Sequence, residues 1–201
     1  MTTPASTPPA GAAAHPQIRL GAQLLTCLGL CLVAAPIIMM QADPRAAFAG
    51  KMPLMWQILV GQGLALVAAI ASYLLYRVTA KSASTARTVE SYARLDLRGL
   101  NPLWISIAAA VGEEMLFRAA LQPWLGVWIV SLLFLVTHIP VYRFRKLDGA
   151  TLSQVAGIFG CSVLLGFVFE YVGLLAAVLV HLWIDVVGLL VVRGVIAARK
   201  Q

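Results

Sequence analysis

Charge is what this chain has little of. Only 11% of its 201 residues are charged, 61% are hydrophobic and the mean hydropathy is +0.88. A soluble domain of this length needs far more charge to cover its surface, so a water-soluble globule is excluded. Cysteine is also scarce. Cys27 and Cys31 stand one helical turn apart in an apolar run and Cys161 lies far along the chain. They read as small core residues rather than a disulfide or a metal pair. No repeat of fixed period is visible.

Residues 1–17, "MTTPASTPPAGAAAHPQ", hold no charge and are rich in Pro, Ala and Thr. Without a basic leading segment they predict a short disordered tail rather than a cleaved leader, and His15 within it has no catalytic role.

What the chain has in abundance is long apolar runs. Six of them, near 18–40, 54–76, 102–121, 124–142, 152–169 and 173–193, approach or exceed the length that crosses a bilayer as a helix. The sequence therefore predicts an all-α polytopic membrane helix bundle of about six transmembrane helices. Asn101 is the expected N-cap of the third, with Pro102 at its first helical position. The N-terminal part, 18–100, holds two spans and a cytoplasmic loop, and 101–201 holds about four spans.

The net charge of +7 sorts on this map. Arg19, Arg77, Lys81, Arg87, Arg94, Arg98, Arg143, Arg145, Lys146, Arg193, Arg199 and Lys200 fall on one side, and only Arg45 and Lys51 on the other. The positive-inside rule then sets N-in, C-in. Trp56, Trp104, Trp124 and Trp128 fall near span ends, as an interfacial aromatic belt requires. Cytoplasmic retention and contact with anionic lipid account for the basic loops. The bilayer is the expected partner, and nucleic acid is not.

A few ionisable groups remain at membrane depth: Glu113, Glu114 and Arg118 on the third span, His138 on the fourth, and His181 and Asp185 on the sixth. Four formal charges at about 2.5–3.5 kcal/mol each cost on the order of 10 kcal/mol if unpaired, so a functional site is the default reading. Glu114 and Arg118 are four apart and share a face, which predicts an ion pair. Glu113 is rotated about 100° from Glu114 around the axis and is left free for other work. Phe134 and His138 share a face, so the ring can wall off the imidazole. His181 and Asp185 also share a face, so the carboxylate can hold the histidine tautomer.

These residues carry a resemblance. "EEMLFR" fits E-E-x-x-x-R, "FLVTH" fits F-x-x-x-H and "HLWID" fits H-x-x-x-N/D, in that order and on separate spans. The chain resembles the CPBP family of CAAX proteases and bacteriocin-processing enzymes, which includes the type II CAAX endopeptidases. The likeness covers roughly 100–193, including Gly166 and Gly173 on the approach to the last motif. It implies an intramembrane endopeptidase whose catalytic core is 101–201. Glu113 with His138 would activate water, Glu114 with Arg118 would support the site, and His181 with residue 185 would stabilise the oxyanion.

One position departs from the type II pattern, where Asn stands in place of Asp185. An ionised Asp cannot donate a hydrogen bond. Asp185 is therefore protonated, or only orients His181, or is a metal ligand. The last option would make Glu113, His138, His181 and Asp185 a zinc set. The reading taken is a metal-free glutamate mechanism without cofactor, with zinc-dependent hydrolysis as the alternative.

Two other classes compete. A proton-coupled transporter would also place Glu, His and Asp in the membrane, but there is no inverted repeat and no matched pair of broken helices. A non-catalytic membrane scaffold is disfavoured because every motif residue needed for chemistry is present. The resemblance implies a membrane-associated protein or peptide as substrate. The Ala-, Leu- and Val-rich, Lys-poor composition suits a bacterial inner membrane.

Overall fold

The computed structural model describes residues 17–142 and 147–199. The tail expected over 1–17, His15 included, lies outside them apart from Gln17, as do Arg143, Arg145, Lys146 and Lys200. The described residues form helices and no strand. They are α1 (Leu20–Met39), α2 (Ala46–Ala49), α3 (Leu54–Thr79), α4 (Ala83–Tyr92), α5 (Asn101–Glu114), a π-helical segment (Met115–Leu121), α6 (Gln122–Tyr142), α7 (Gly149–Tyr171) and α8 (Leu174–Ala198).

Among the described residues five helical stretches are long and apolar enough to cross a membrane, and the chain is an integral membrane protein. One of them, Asn101–Tyr142, has 42 residues. A straight helix of that length would run about 63 Å, roughly twice the hydrocarbon core. It is not straight. Gly126 has φ 74° and ψ 168°, outside the helical region, and Gly adopts that backbone at little steric cost. Phe117 and Phe134 would be about 25 Å apart on one axis, yet their ring centroids lie 5.0 Å apart. The stretch is a hairpin, so the described residues contain six long helical legs. The break comes at Gly126 rather than at 121–124, because the helix runs through Pro123 before it turns.

Four segments meet at one end. Ile18 and Asp96 pair with Arg94 and Ile18 through backbone bonds of 2.8 and 3.2 Å. Arg87 binds Asp148, and Arg193 Nη1 donates to the Gly99 carbonyl at 3.0 Å. The start of α1, the 80–100 connection, the start of α7 and the end of α8 are therefore together, and this is the basic end, which the positive-inside rule assigns to the cytoplasm. Arg45 and Lys51 lie at the other end, where the Lys51 and Met52 N–H groups donate to Val172 O.

The loop expected between the second and third spans contains a helix of its own, α4. Ser82 caps it by accepting from Thr85 N–H at 3.2 Å. Val89 anchors it against Leu97, Ile105, Leu189 and Val192. At its other boundary α5 begins at Asn101 itself, with Leu100 at the cap position. This is one residue earlier than expected, because Asn101 N–H already bonds to Arg98 O.

α8 packs on α3, α5 and α7 and is the centre of the bundle, while α1 and α3 show lipid most of their surface. α1 and α5 run in the same direction. At Gly112 a Cβ would lie 3.0 Å from the Cys27 Cα, tighter than an ordinary contact, so the missing side chain eases this approach next to Glu113.

Candidate active site

The side chains predicted to meet do meet, on α5, the π-helical segment, α6 and α8. Glu114 and Arg118 are fully buried and paired, Nε to Oε2 at 3.1 Å. Arg118 Nη2 donates to Ser162 Oγ on α7 at 2.8 Å, and its guanidinium carbon lies 5.7 Å from the Phe134 ring centroid. Such a charge is tolerated here because its partners are fixed around it. The π-helical segment opens the backbone just after the glutamates. Gln41 Nε2 donates to its Ala119 and Ala120 carbonyls at 2.7 and 3.3 Å.

His181 donates from Nδ1 to Glu114 Oε1 at 2.8 Å. This corrects the reading of Asp185 as the group that holds the His181 tautomer. Asp185 faces the other ring nitrogen, Oδ2 to Nε2 at 3.5 Å. An acid on a neighbouring helix reaches Nδ1 better than one a turn along the same helix.

His138 donates from Nδ1 to the Phe134 carbonyl at 2.8 Å, and Phe134 stacks on it with ring centroids 4.2 Å apart and planes 23° apart. Its Nε2 is thereby left as the acceptor of the neutral ring. That nitrogen lies 3.8 Å from Glu113 Oε2, and His181 Nε2 lies 3.9 Å from the same oxygen. Both are too long for direct hydrogen bonds and suit a small group held between them. Glu113 Oε2 has no hydrogen-bond partner among the described residues. The free glutamate thus faces two imidazole Nε2 atoms, with the paired glutamate behind.

Glu113, His138, His181 and Asp185 line a cavity of about 500 Å³ that extends to Tyr92 and Arg94 at the basic end. Tyr92 and Tyr142 hydroxyls are 2.9 Å apart. Burial, then the neighbouring Tyr142, holds the Tyr92 phenol well above its ordinary pKa, so it stays protonated. Arg94 donates to the Ser91 and Val141 carbonyls. A larger cavity of about 810 Å³ lies at the opposite end beside Gln41, Arg45 and Trp124. None of the motif residues lines it, so the candidate site is the smaller one.

Among the described residues no group of three or more His, Cys, Asp or Glu side chains is arranged to hold a metal ion. Of the set Glu113, His138, His181 and Asp185, His181 has its Nδ1 taken by Glu114, and its Nε2 has Asp185 Oδ2 at 3.5 Å and Glu113 Oε2 at 3.9 Å.

Sequence reasoning did not find Ser162 or Gln41. The signal for Ser162 is a lone hydroxyl in the small-residue run "GCSVLLG".

The model of the Rce1-like type II CAAX prenyl endopeptidases matches residues 98–187, a segment that contains all six motif residues. YpbD of Bacillus subtilis (strain 168), described as an uncharacterized protein, is 35% identical over 86 residues. That overlap is 42% of this chain and 42% of YpbD, so the chain matches less than half the length of this curated relative. No solved structure matches the chain. Residues 98–187, a little under half of the chain, thus match the Rce1-like CAAX prenyl endopeptidases, and they carry the E-E-x-x-x-R, F-x-x-x-H and H-x-x-x-D motifs gathered at one cavity.

Proposed function

We propose that the protein is an intramembrane endopeptidase that hydrolyses a peptide bond near a membrane-associated segment, with Glu113 as the base. The observation that carries this reading is the unpartnered Glu113 Oε2, 3.8 Å from His138 Nε2 and 3.9 Å from His181 Nε2. A water held between Glu113 and the His138 lone pair gives a proton to the carboxylate as its oxygen attacks the scissile carbonyl. The His138 ring is fixed for this by Phe134 on its face and at its Nδ1–H.

His181 is held by Glu114, which Arg118 neutralises in turn. When its Nε2 carries a proton, it aims a donor at the side of the site opposite His138 and takes the oxyanion of the tetrahedral intermediate. Glu113 then passes its proton to the leaving amine, and the bond breaks. An ionised Asp185 beside Nε2 favours the resting imidazolium form of His181, which donates from both ring nitrogens. A protonated Asp185 would supply the donor that Asn supplies in type II enzymes.

The substrate is proposed to be a membrane-associated protein or peptide, and the location the inner membrane of a bacterium. Comparative proteomics of membrane and secreted fractions tests the function. A strain carrying Glu113→Ala accumulates uncut precursors with a common cleavage region, whereas identical peptide termini in the two strains would remove the proteolytic role.

A further inference from the structure

A protease cleaves extended backbone, and an unwound segment below the membrane surface leaves N–H and C=O groups that are costly unless the cavity satisfies them. The catalytic acids and imidazoles are committed to one another and to the reacting bond. Tyr92 and Tyr142 are bonded together, and Arg94 is held by two carbonyls. The wall contributed by α1 is different. It presents Gln23, a half-buried carboxamide that makes no hydrogen bond to the described residues and lines the same cavity as Glu113 and His138. A free amide inside an apolar helix is unfavourable in lipid, which argues for a partner that comes and goes.

Its depth follows from the parallel packing of α1 on α5. Ile18 is tied to residues 94–96 at the cytoplasmic end, Cys27 lies against Gly112, and Ala34 and Ile38 cluster with Ala119 and Ala120 at the other end. Gln23 is one turn before Cys27, so it sits one turn, about 6 Å, to the cytoplasmic side of the Glu113 level. α1 packs on α5 and the π-helical segment rather than on α6. Gln23 and the end of α6 thus line the same cavity as Glu113 from different helices. An extended chain covers about 6 Å in two residues.

We propose that Gln23 is a substrate-binding residue. Its carboxamide accepts from one substrate N–H through Oε1 and donates to a substrate C=O through Nε2, about two residues from the scissile bond. The inference rests on the protease reading and adds to it a contact from α1, which lies outside the segment that matches the family.

The test uses the full chain in lipid nanodiscs and a defined mixture of N-palmitoylated random-sequence peptides. The best-cleaved peptide then serves as the probe and is remade with a single N-methyl at each position around the cut. For the wild-type protein, N-methylation about two residues from the scissile bond raises KM roughly 3- to 10-fold, the effect of one hydrogen bond. Gln23→Leu, which removes both bonds, raises KM for the unmodified probe by at least that factor, leaves kcat within about twofold and keeps the thermal midpoint. In Gln23→Leu that N-methyl has no further effect, because the bond it removes is already gone. An N-methyl penalty that persists undiminished in Gln23→Leu, or an unchanged KM, overturns the inference and leaves the protease reading standing. Cleavage of no peptide by the wild type overturns the protease reading, and the inference with it.

Discussion

Glu114 and His181 are 67 residues apart in sequence and 2.8 Å apart in space, with the carboxylate Oε1 taking the imidazole Nδ1–H while Oε2 takes Arg118. One buried carboxylate thus fixes both the arginine of its own helix and the histidine of α8. The second glutamate of the pair, Glu113, is free because the first is doubly engaged.

Arg118→Ala leaves Glu114 buried with His181 as its remaining partner. The expected cost is about 3–5 kcal/mol, that of an uncompensated buried charge. It is read as a fall in thermal midpoint or a loss of folded protein from the membrane. Adding Glu114→Gln restores part of it. An Arg118→Ala protein as stable and active as the wild type would show that the pair does not hold the site.

The outer end depends on Gly173, at φ 144°, where a Cβ would lie 2.4 Å from the Gln57 Oε1. Gln57 is buried and donates to the Ala49 and Met52 carbonyls at 2.8 and 2.9 Å. Gly173→Ala combines a clash with an unfavourable backbone and should cost about 1–3 kcal/mol. It should also lower activity, because His181 lies two turns along α8 from this point. A thermal midpoint within a degree of wild type would contradict the close approach.

Two cytoplasmic carboxylates set the acid limb of stability. Arg87 donates to both oxygens of Asp148 at 2.8 and 2.6 Å, and with Thr151 N–H it holds that carboxyl well below the usual range. Arg98 beside Asp96 holds its pKa at about 2. Both values are lowered by folding, so both carboxylates stabilise the fold above the ordinary Asp value of about 3.9. Their contribution is lost as pH falls from there toward 2. Thermal melts from pH 2 to 6 should show this decline, and Asp148→Asn should flatten it and lower the midpoint at neutral pH. A variant with the wild-type profile would remove the Arg87–Asp148 pair from the account.

Hydrolysis by purified protein is expected to survive stringent chelation, and metal analysis is expected to find no stoichiometric zinc. Activity lost to a chelator and restored by zinc would favour the metal-dependent alternative.

The spans and most of the site were legible because lipid makes charge conspicuous. Glu113, Glu114, Arg118, His138, His181 and Asp185 stand out against apolar runs, and i, i+4 spacing is enough to pair Glu114 with Arg118. What spacing could not supply is the choice of partner between helices. Asp185 was the obvious neighbour for His181 on one helix, but α5 packs against α8 and brings Glu114 closer. Ser162 and Gln23 were missed for the same reason: one neutral polar residue in a hydrophobic run says nothing about which wall it faces. α4 was hidden because its polar sequence resembles a loop until Val89 is seen to pack against α5 and α8.

The central claim is that Glu113 is the base, and turnover by Glu113→Gln in the same nanodiscs and on the same probe peptide tests it most directly. The substitution keeps the size and removes the charge and the basicity, exchanging one acceptor oxygen for an amide donor. With the thermal midpoint unchanged, kcat should fall at least about 100-fold, the usual contribution of a positioned general base. A folded Glu113→Gln protein that turns over at close to the wild-type rate would contradict the account.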